Sequence, residues 1–205
     1  MKKLIIGMII MAFTSAMSVE AFDWASALNF IGRVSESNTA ESQPVTLNEL
    51  EKRMATIDNT VQTAFIDVVS DLSGWWQTWN IKSQLKKAGK DAIVNTMSDY
   101  TNSYLANNRQ AIVNKIKKMS AKERTALIND LAKLKESEQN YLLLATNGVK
   151  SATNALATAQ NLSEAATTIT NINRMAASLK NRATTVMTFA NQIKTIATAA
   201  GVSVN

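Results

Sequence analysis

The longest regular pattern of apolar positions runs from residue 121 to residue 200. Leu, Ile, Val and Ala recur there mostly at alternating spacings of three and four, without interruption from Leu162 to Ala200, which is typical of helices packed along a seam. The pattern slips by one residue between Ala159 and Leu162. A slip of this kind is expected at a tight antiparallel turn or at a stammer within one very long helix. The matching lengths of 121–160 and 162–200 favour the turn.

Helical patterning also extends through the residues before this seam. Thr46-Leu47-Asn48-Glu49 fits a capping box, and apolar residues follow at helical spacing to Leu72. Ser120-Ala121-Lys122-Glu123 is a second capping box, and a turn is expected near Asn107-Asn108. No stretch shows sustained strand alternation. The predicted fold class is all-α: an elongated up-and-down helical bundle, or long antiparallel coiled-coil hairpin, over residues 46–205.

The first residues follow a different pattern. A short basic start at Lys2 and Lys3 precedes an apolar run of about ten residues, and small residues occupy the −3 and −1 positions before Phe22. This predicts a secretory signal over residues 1–21, cleaved after Ala21, so that the protein is exported to the periplasm or secreted. The short Met-Lys-Lys start favours a bacterial signal. Residues 22–45 are predicted to form a short amphipathic segment and a polar linker.

The composition excludes several kinds of catalytic and metal-binding site. The sequence contains no cysteine and no histidine. Disulfide frameworks, serine–histidine triads, zinc–histidine sites and histidine pH switches are therefore closed to it. There is also no phosphate-binding loop and no Gly-x-Ser-x-Gly motif. We therefore predict no enzyme activity, no catalytic residue, no cofactor and no metal.

Charge is distributed unevenly along a chain whose formal net charge is +6. Residues 22–73 carry a net charge of −5, whereas residues 82–124 carry +7. The basic middle could contact an anionic membrane or an acidic partner. Alternatively, the acidic and basic segments face each other within the fold.

A tryptophan cluster stands out at the start of the basic region. Trp75 and Trp79 share a helical face with Trp76 beside them, and four lysines follow, namely Lys82, Lys86, Lys87 and Lys90. Indoles favour the membrane–water interface and lysines favour anionic head groups, so these seven residues are a candidate membrane or partner contact. The alternative is that the indoles fill the end of the helical bundle as buried side chains.

Two other charged groups have weaker functional interpretations. Residues 109–122 are basic and contain no acid, which fits a solvated helix face or contact with an anionic surface. Nucleic acid binding is not expected of an exported protein. Asp67 and Asp71 are spaced to share a helix face, yet nothing near them in the sequence supplies further metal ligands, which favours a structural role.

These observations predict an exported, non-enzymatic helical-bundle interaction protein acting through protein–protein contacts or self-association along its helical seams. In architecture the chain resembles exported bacterial helical adhesins, secretion-apparatus or envelope components, and α-helical pore-forming toxins; architecture alone does not fix function. The alternative function is a membrane-active α-helical protein that docks through the Trp/Lys segment.

Overall fold

A computed structural model describes residues 46–87, 91–158 and 162–203, and every element within these ranges is a helix. Six α-helices and one π-helix follow in chain order: α1 Leu47–Leu72, α2 Trp75–Lys87, α3 Ala92–Asp99, π1 Tyr100–Leu105, α4 Ala106–Lys118, α5 Ala121–Thr158 and α6 Leu162–Ala199. The all-α prediction is therefore confirmed. The predicted signal and linker, residues 1–45, lie outside the described residues.

Both predicted capping boxes open helices. The amide of Glu49 donates to the hydroxyl of Thr46 at 3.3 Å at the start of α1. At the start of α5 the exchange is reciprocal, because the Ser120 amide donates to the Glu123 carboxylate at 2.6 Å and the Glu123 amide donates to Ser120 Oγ at 3.3 Å. These bonds satisfy amides that have no partner within the helix.

The turn expected near Asn107-Asn108 is absent, since π1 carries the backbone directly from α3 into α4. The amide group of Asn108 donates to the carbonyl of Tyr104 one turn earlier, so a residue typical of turns is accommodated within the helix. Tyr100 opens π1 and is buried, with its ring in an edge-to-face contact with Phe65 of α1.

The core contains buried side chains from all seven described helices, and the contacts of α5 with α6 and with α1 are the most extensive. Most seam positions of α5 and α6 with described side chains are buried, including Leu127, Leu134, Ile172, Leu179 and Ile193, whereas Val149 is exposed. Seam positions from 153 to 165 have side chains outside the described set. The helices approach closely at Gly148 of α5, where an added Cβ would lie 3.3 Å from Leu50 Cδ1 and 3.6 Å from Ile172 Cγ2.

The long helices α5 and α6 run in opposite directions where they touch. Tyr141 of α5 and Arg182 of α6 both bond to Asp58 of α1, whereas seven residues further along α5, Gly148 lies against Ile172, ten residues earlier in α6. The described residues belong to one compact unit.

Candidate functional site

Helix α2 begins after a corner of the backbone at Ser73, and contacts from two other helices hold this corner in place. The buried hydroxyl of Ser73, the residue after α1, lies 2.5 Å from the hydroxyl of Tyr100. The ammonium group of Lys115, in the last turn of α4, donates to the carbonyl oxygen of Ser73 at 2.8 Å. The chain then passes Gly74 and enters α2 at Trp75. The position of this corner therefore depends on both π1 and α4.

The inner face of α2 is narrow. Thr78, Ile81 and Leu85 are its buried side chains, at successive spacings of three and four residues. The Thr78 hydroxyl bonds back to the carbonyl of Gly74, which keeps its oxygen satisfied within the helix. Gln77, Asn80 and Ser83 are partly buried, and the remaining described side chains of α2 are exposed.

The three indoles of α2 lie on its outer surface. Trp75 is 78% exposed, Trp76 60% and Trp79 55%. Trp76 stacks on Trp79 with ring centroids 5.1 Å apart, and Trp75 meets Trp76 edge-on at 5.7 Å. The interpretation of these residues as buried filler at the end of the bundle is therefore wrong. They form an exposed aromatic cluster, a feature that marks interaction sites on soluble proteins.

Lysines continue the same outer strip of α2. Trp75, Trp79, Lys82 and Lys86 follow one another at spacings of four, three and four residues, and both lysines are exposed. The Lys87 side chain and the whole of Lys90 lie outside the described residues. From Leu72 to Lys90 the sequence contains no acidic residue. The indole end and the lysine end of this strip together form the candidate contact surface that we call the α2 docking surface, defined as Trp75, Trp76, Trp79, Lys82 and Lys86.

The acidic residues predicted to share a helix face line a cleft between α1 and α5. Asp67 and Asp71 face Asp130 and Lys133 across a cavity of about 420 Å³. Lys133 Nζ bonds to Asp130 Oδ1 at 2.8 Å. Burial raises the pKa of Asp71, and the neighbouring carboxylates raise it further. Within the described residues, no group of three potential ligand side chains is placed to hold a metal ion.

A buried polar network, which the sequence pattern did not reveal, joins three helices. The guanidinium of Arg182, only 2% exposed, donates to Asp58 Oδ1 at 2.9 Å and to Ser178 Oγ at 2.5 Å. Its Nη1 also pairs with Asp91 at 3.0 Å. The hydroxyl of Tyr141 donates to the same Asp58 oxygen at 2.5 Å, and burial is the main cause that raises the pKa of Tyr141. The bonds to Asp58 hold α1, α5 and α6 together, and the pair with Asp91, whose side chain is 69% exposed, extends the network to the surface.

No helix among residues 46–87, 91–158 and 162–203 combines the length and apolar character needed to cross a bilayer. Comparison of the chain with known proteins gives no match to a family model, a curated protein or a solved structure.

Proposed function

We propose that this chain is an exported, non-enzymatic helical protein that docks on the interfacial region of anionic membranes through the α2 docking surface. The observation that carries the proposal is the exposure of three contiguous indoles at one end of a lysine-bearing helix. Indole rings place an apolar body and a polar N–H at the boundary between head groups and acyl chains. Each large apolar side chain removed from water contributes about 1.5–3 kcal/mol.

The positive charge of α2 favours binding to anionic membranes. Lys82 and Lys86 lie on the indole strip, about one to two turns from Trp79. A basic side chain near an anionic membrane surface contributes about 1 kcal/mol to binding. Since no acidic residue lies between Leu72 and Lys90, nothing within this segment offsets that attraction.

The bundle behind α2 serves as the scaffold in this proposal. We place α5 and α6 in an elongated antiparallel coiled-coil hairpin, an assignment supported by their opposite directions of contact and by the alternating spacing of their seam residues. The scaffold would hold the α2 docking surface in a fixed position, which reduces the entropy lost on binding.

A protein partner is the second candidate for this surface, and a second copy of the chain is included in that class. The stacked Trp76–Trp79 pair favours it, because clustered tryptophans dominate the binding energy of many protein interfaces. This candidate predicts binding without lipid, whereas membrane docking predicts dependence on anionic lipid.

Vesicle co-sedimentation tests the proposal directly. Phosphatidylcholine vesicles with and without phosphatidylglycerol are titrated with the purified protein, and dye release is followed in parallel. We expect binding to the anionic vesicles and at least about a 100-fold loss of affinity in the Trp75→Ala/Trp76→Ala/Trp79→Ala variant. Sedimentation is the main readout because this variant removes most of the intrinsic fluorescence.

A matched control removes exposed apolar side chains elsewhere. Leu143 of α5 and Met187 of α6 are 48% and 40% exposed, so Leu143→Ala/Met187→Ala should bind like the parent protein. The membrane proposal fails if the parent protein does not bind, or if the triple tryptophan variant binds as well as the parent. Loss of self-association in the same triple variant, without lipid binding by the parent, would establish the protein-partner candidate. Dye release would identify pore formation in addition to docking.

A further inference from the structure

The basic end of α4 lies beside the indole end of α2. Lys115 Nζ bonds to the carbonyl of Ser73, and Trp75 follows two residues later. Lys82 and Lys86, in contrast, lie towards the other end of α2. The bond therefore brings a second basic element to the side of the aromatic cluster that the lysines of α2 do not cover.

The helical positions of the α4 lysines determine which of them can share a surface with α2. Ile112, Val113 and Ile116 form the buried face of α4. At about 100° per residue, Lys115 and Lys117 fall on opposite flanks of that face. Lys118 follows Lys115 by three residues, so it lies on the same side of the helix but further from the buried face. All three lysines are exposed.

Lys115 itself is engaged within the protein. Besides its bond to Ser73, it interacts electrostatically with Asp71 of α1 and Glu123 of α5. These carboxylates offset part of its positive charge. Lys118 is therefore better placed than Lys115 to offer its charge to an external anion.

We infer that Lys118 is a further headgroup contact of the α2 docking surface, so that phosphate groups of an anionic membrane meet lysines on both sides of the indoles. This inference rests on the proposed membrane-docking function and extends its footprint from α2 to α4. Lys115 acts as a positioning residue, because it fixes the last turn of α4 against the corner that leads into α2.

The test compares two neighbouring lysines that lie about 100° apart on one helix, Lys118 on the Lys115 side and Lys117 on the other flank. Lys118→Gln and Lys117→Gln remove the same charge from the same solvent-exposed turn, and circular dichroism confirms that each variant keeps its helicity. At physiological ionic strength charge effects decay over about 8 Å. We expect Lys118→Gln to weaken binding to phosphatidylglycerol-containing vesicles about fivefold. Lys117→Gln should weaken it less than about twofold.

The outcomes separate this inference from the proposed function. Equal affinities for parent and Lys118→Gln, or equal losses in both lysine variants, would overturn the role of Lys118. If the triple tryptophan variant still loses binding in that case, membrane docking through α2 stands. If the triple variant binds like the parent, the proposed function has failed, whatever the lysine variants do.

Discussion

Arg182 is the largest of the side chains that are fully buried in the described part of the chain. A buried charge is costly unless it is paired and hydrogen-bonded, and Arg182 meets this condition through Asp58, Asp91 and Ser178. Its two acidic partners differ in their surroundings, because the side chain of Asp58 is 20% exposed and that of Asp91 is 69% exposed. The same guanidinium therefore makes one pair in the interior and one at the surface.

This difference predicts unequal effects of removing the two carboxylates. Asp58→Ala leaves both Arg182 and the hydroxyl of Tyr141 without their shared acceptor, so the free energy of unfolding should fall by about 3–5 kcal/mol. Asp91→Ala should lower it by less than about 1 kcal/mol, since solvent screens an exposed pair. Urea unfolding followed by circular dichroism measures both changes. Equal losses of unfolding free energy in the two variants would contradict the prediction that the buried pair stabilises the fold more than the exposed one.

The ionisation of Asp71, in the cleft between α1 and α5, should make the stability of the protein depend on pH. The pKa of Asp71 is raised above the ordinary value of 3.8, chiefly by burial and then by Asp130 and Asp67, while Lys115 opposes the shift. The folded protein therefore holds this proton more tightly than the unfolded chain, and ionisation of Asp71 reduces stability as pH rises above 3.8. Asp71→Asn should raise the melting temperature at neutral pH.

The gain from Asp71→Asn should shrink as pH falls towards 3.8, because the parent side chain then becomes neutral as well. Melting temperatures of parent and variant across this pH range provide the measurement. Glu136→Gln, which neutralises an exposed carboxylate of α5, is the control and should change stability little at any pH. A gain for Asp71→Asn that does not vary with pH would contradict the assignment.

Helix α2 shows which properties of an element can be predicted from its sequence. Ile81 and Leu85 stand at helical spacing in the sequence, and the structure confirms the helix and buries both side chains. The orientation of the indoles could not be predicted, because Trp75 and Trp79 fall at an equally regular spacing. The face that is buried depends on how α2 packs against α1 and α3. Local periodicity does not contain that information.

Some helix boundaries could be predicted from the local sequence, and others could not. Thr46 and Ser120 cap their helices through neighbours three residues away, so a local motif is sufficient to predict them. The continuation through Asn107 and Asn108 was not predictable from turn propensity. There the burial of Tyr100 and Leu105 in π1, together with Ile112 and Ile116 in α4, outweighs the preference of asparagine for turns.

Across the whole molecule, the predicted apolar seams explain much of the core, but the polar contacts between helices do not follow from them. The bonds that Asp58 accepts come from Tyr141 and Arg182, 83 and 124 residues further along the chain. No spacing rule connects positions so far apart. Similarly, the contact between Lys115 and Ser73 spans 42 residues, so the closeness of the last turn of α4 to the start of α2 emerges only after folding.

The seam that was predictable also gives the clearest test of the assembled core. Leu179 of α6 is fully buried, whereas Asn181, two residues later on the same helix, is exposed. Leu179→Asp places a carboxylate in the apolar interior and removes packing worth about 2–5 kcal/mol even before the cost of burying charge. Since domains of this size have a stability of about 5–15 kcal/mol, this variant should lose cooperative thermal unfolding.

Asn181→Asp introduces the same charge into the same turn of α6 but on its solvent face, so its melting curve should stay close to that of the parent protein. Circular dichroism at rising temperature reports both variants. A cooperative transition retained by Leu179→Asp would show that α6 does not pack through this seam. Loss of the cooperative transition in Leu179→Asp, with Asn181→Asp unaffected, would show that the Leu179 face of α6 belongs to the folding core. The face of α2 that carries the indoles, in contrast, is exposed.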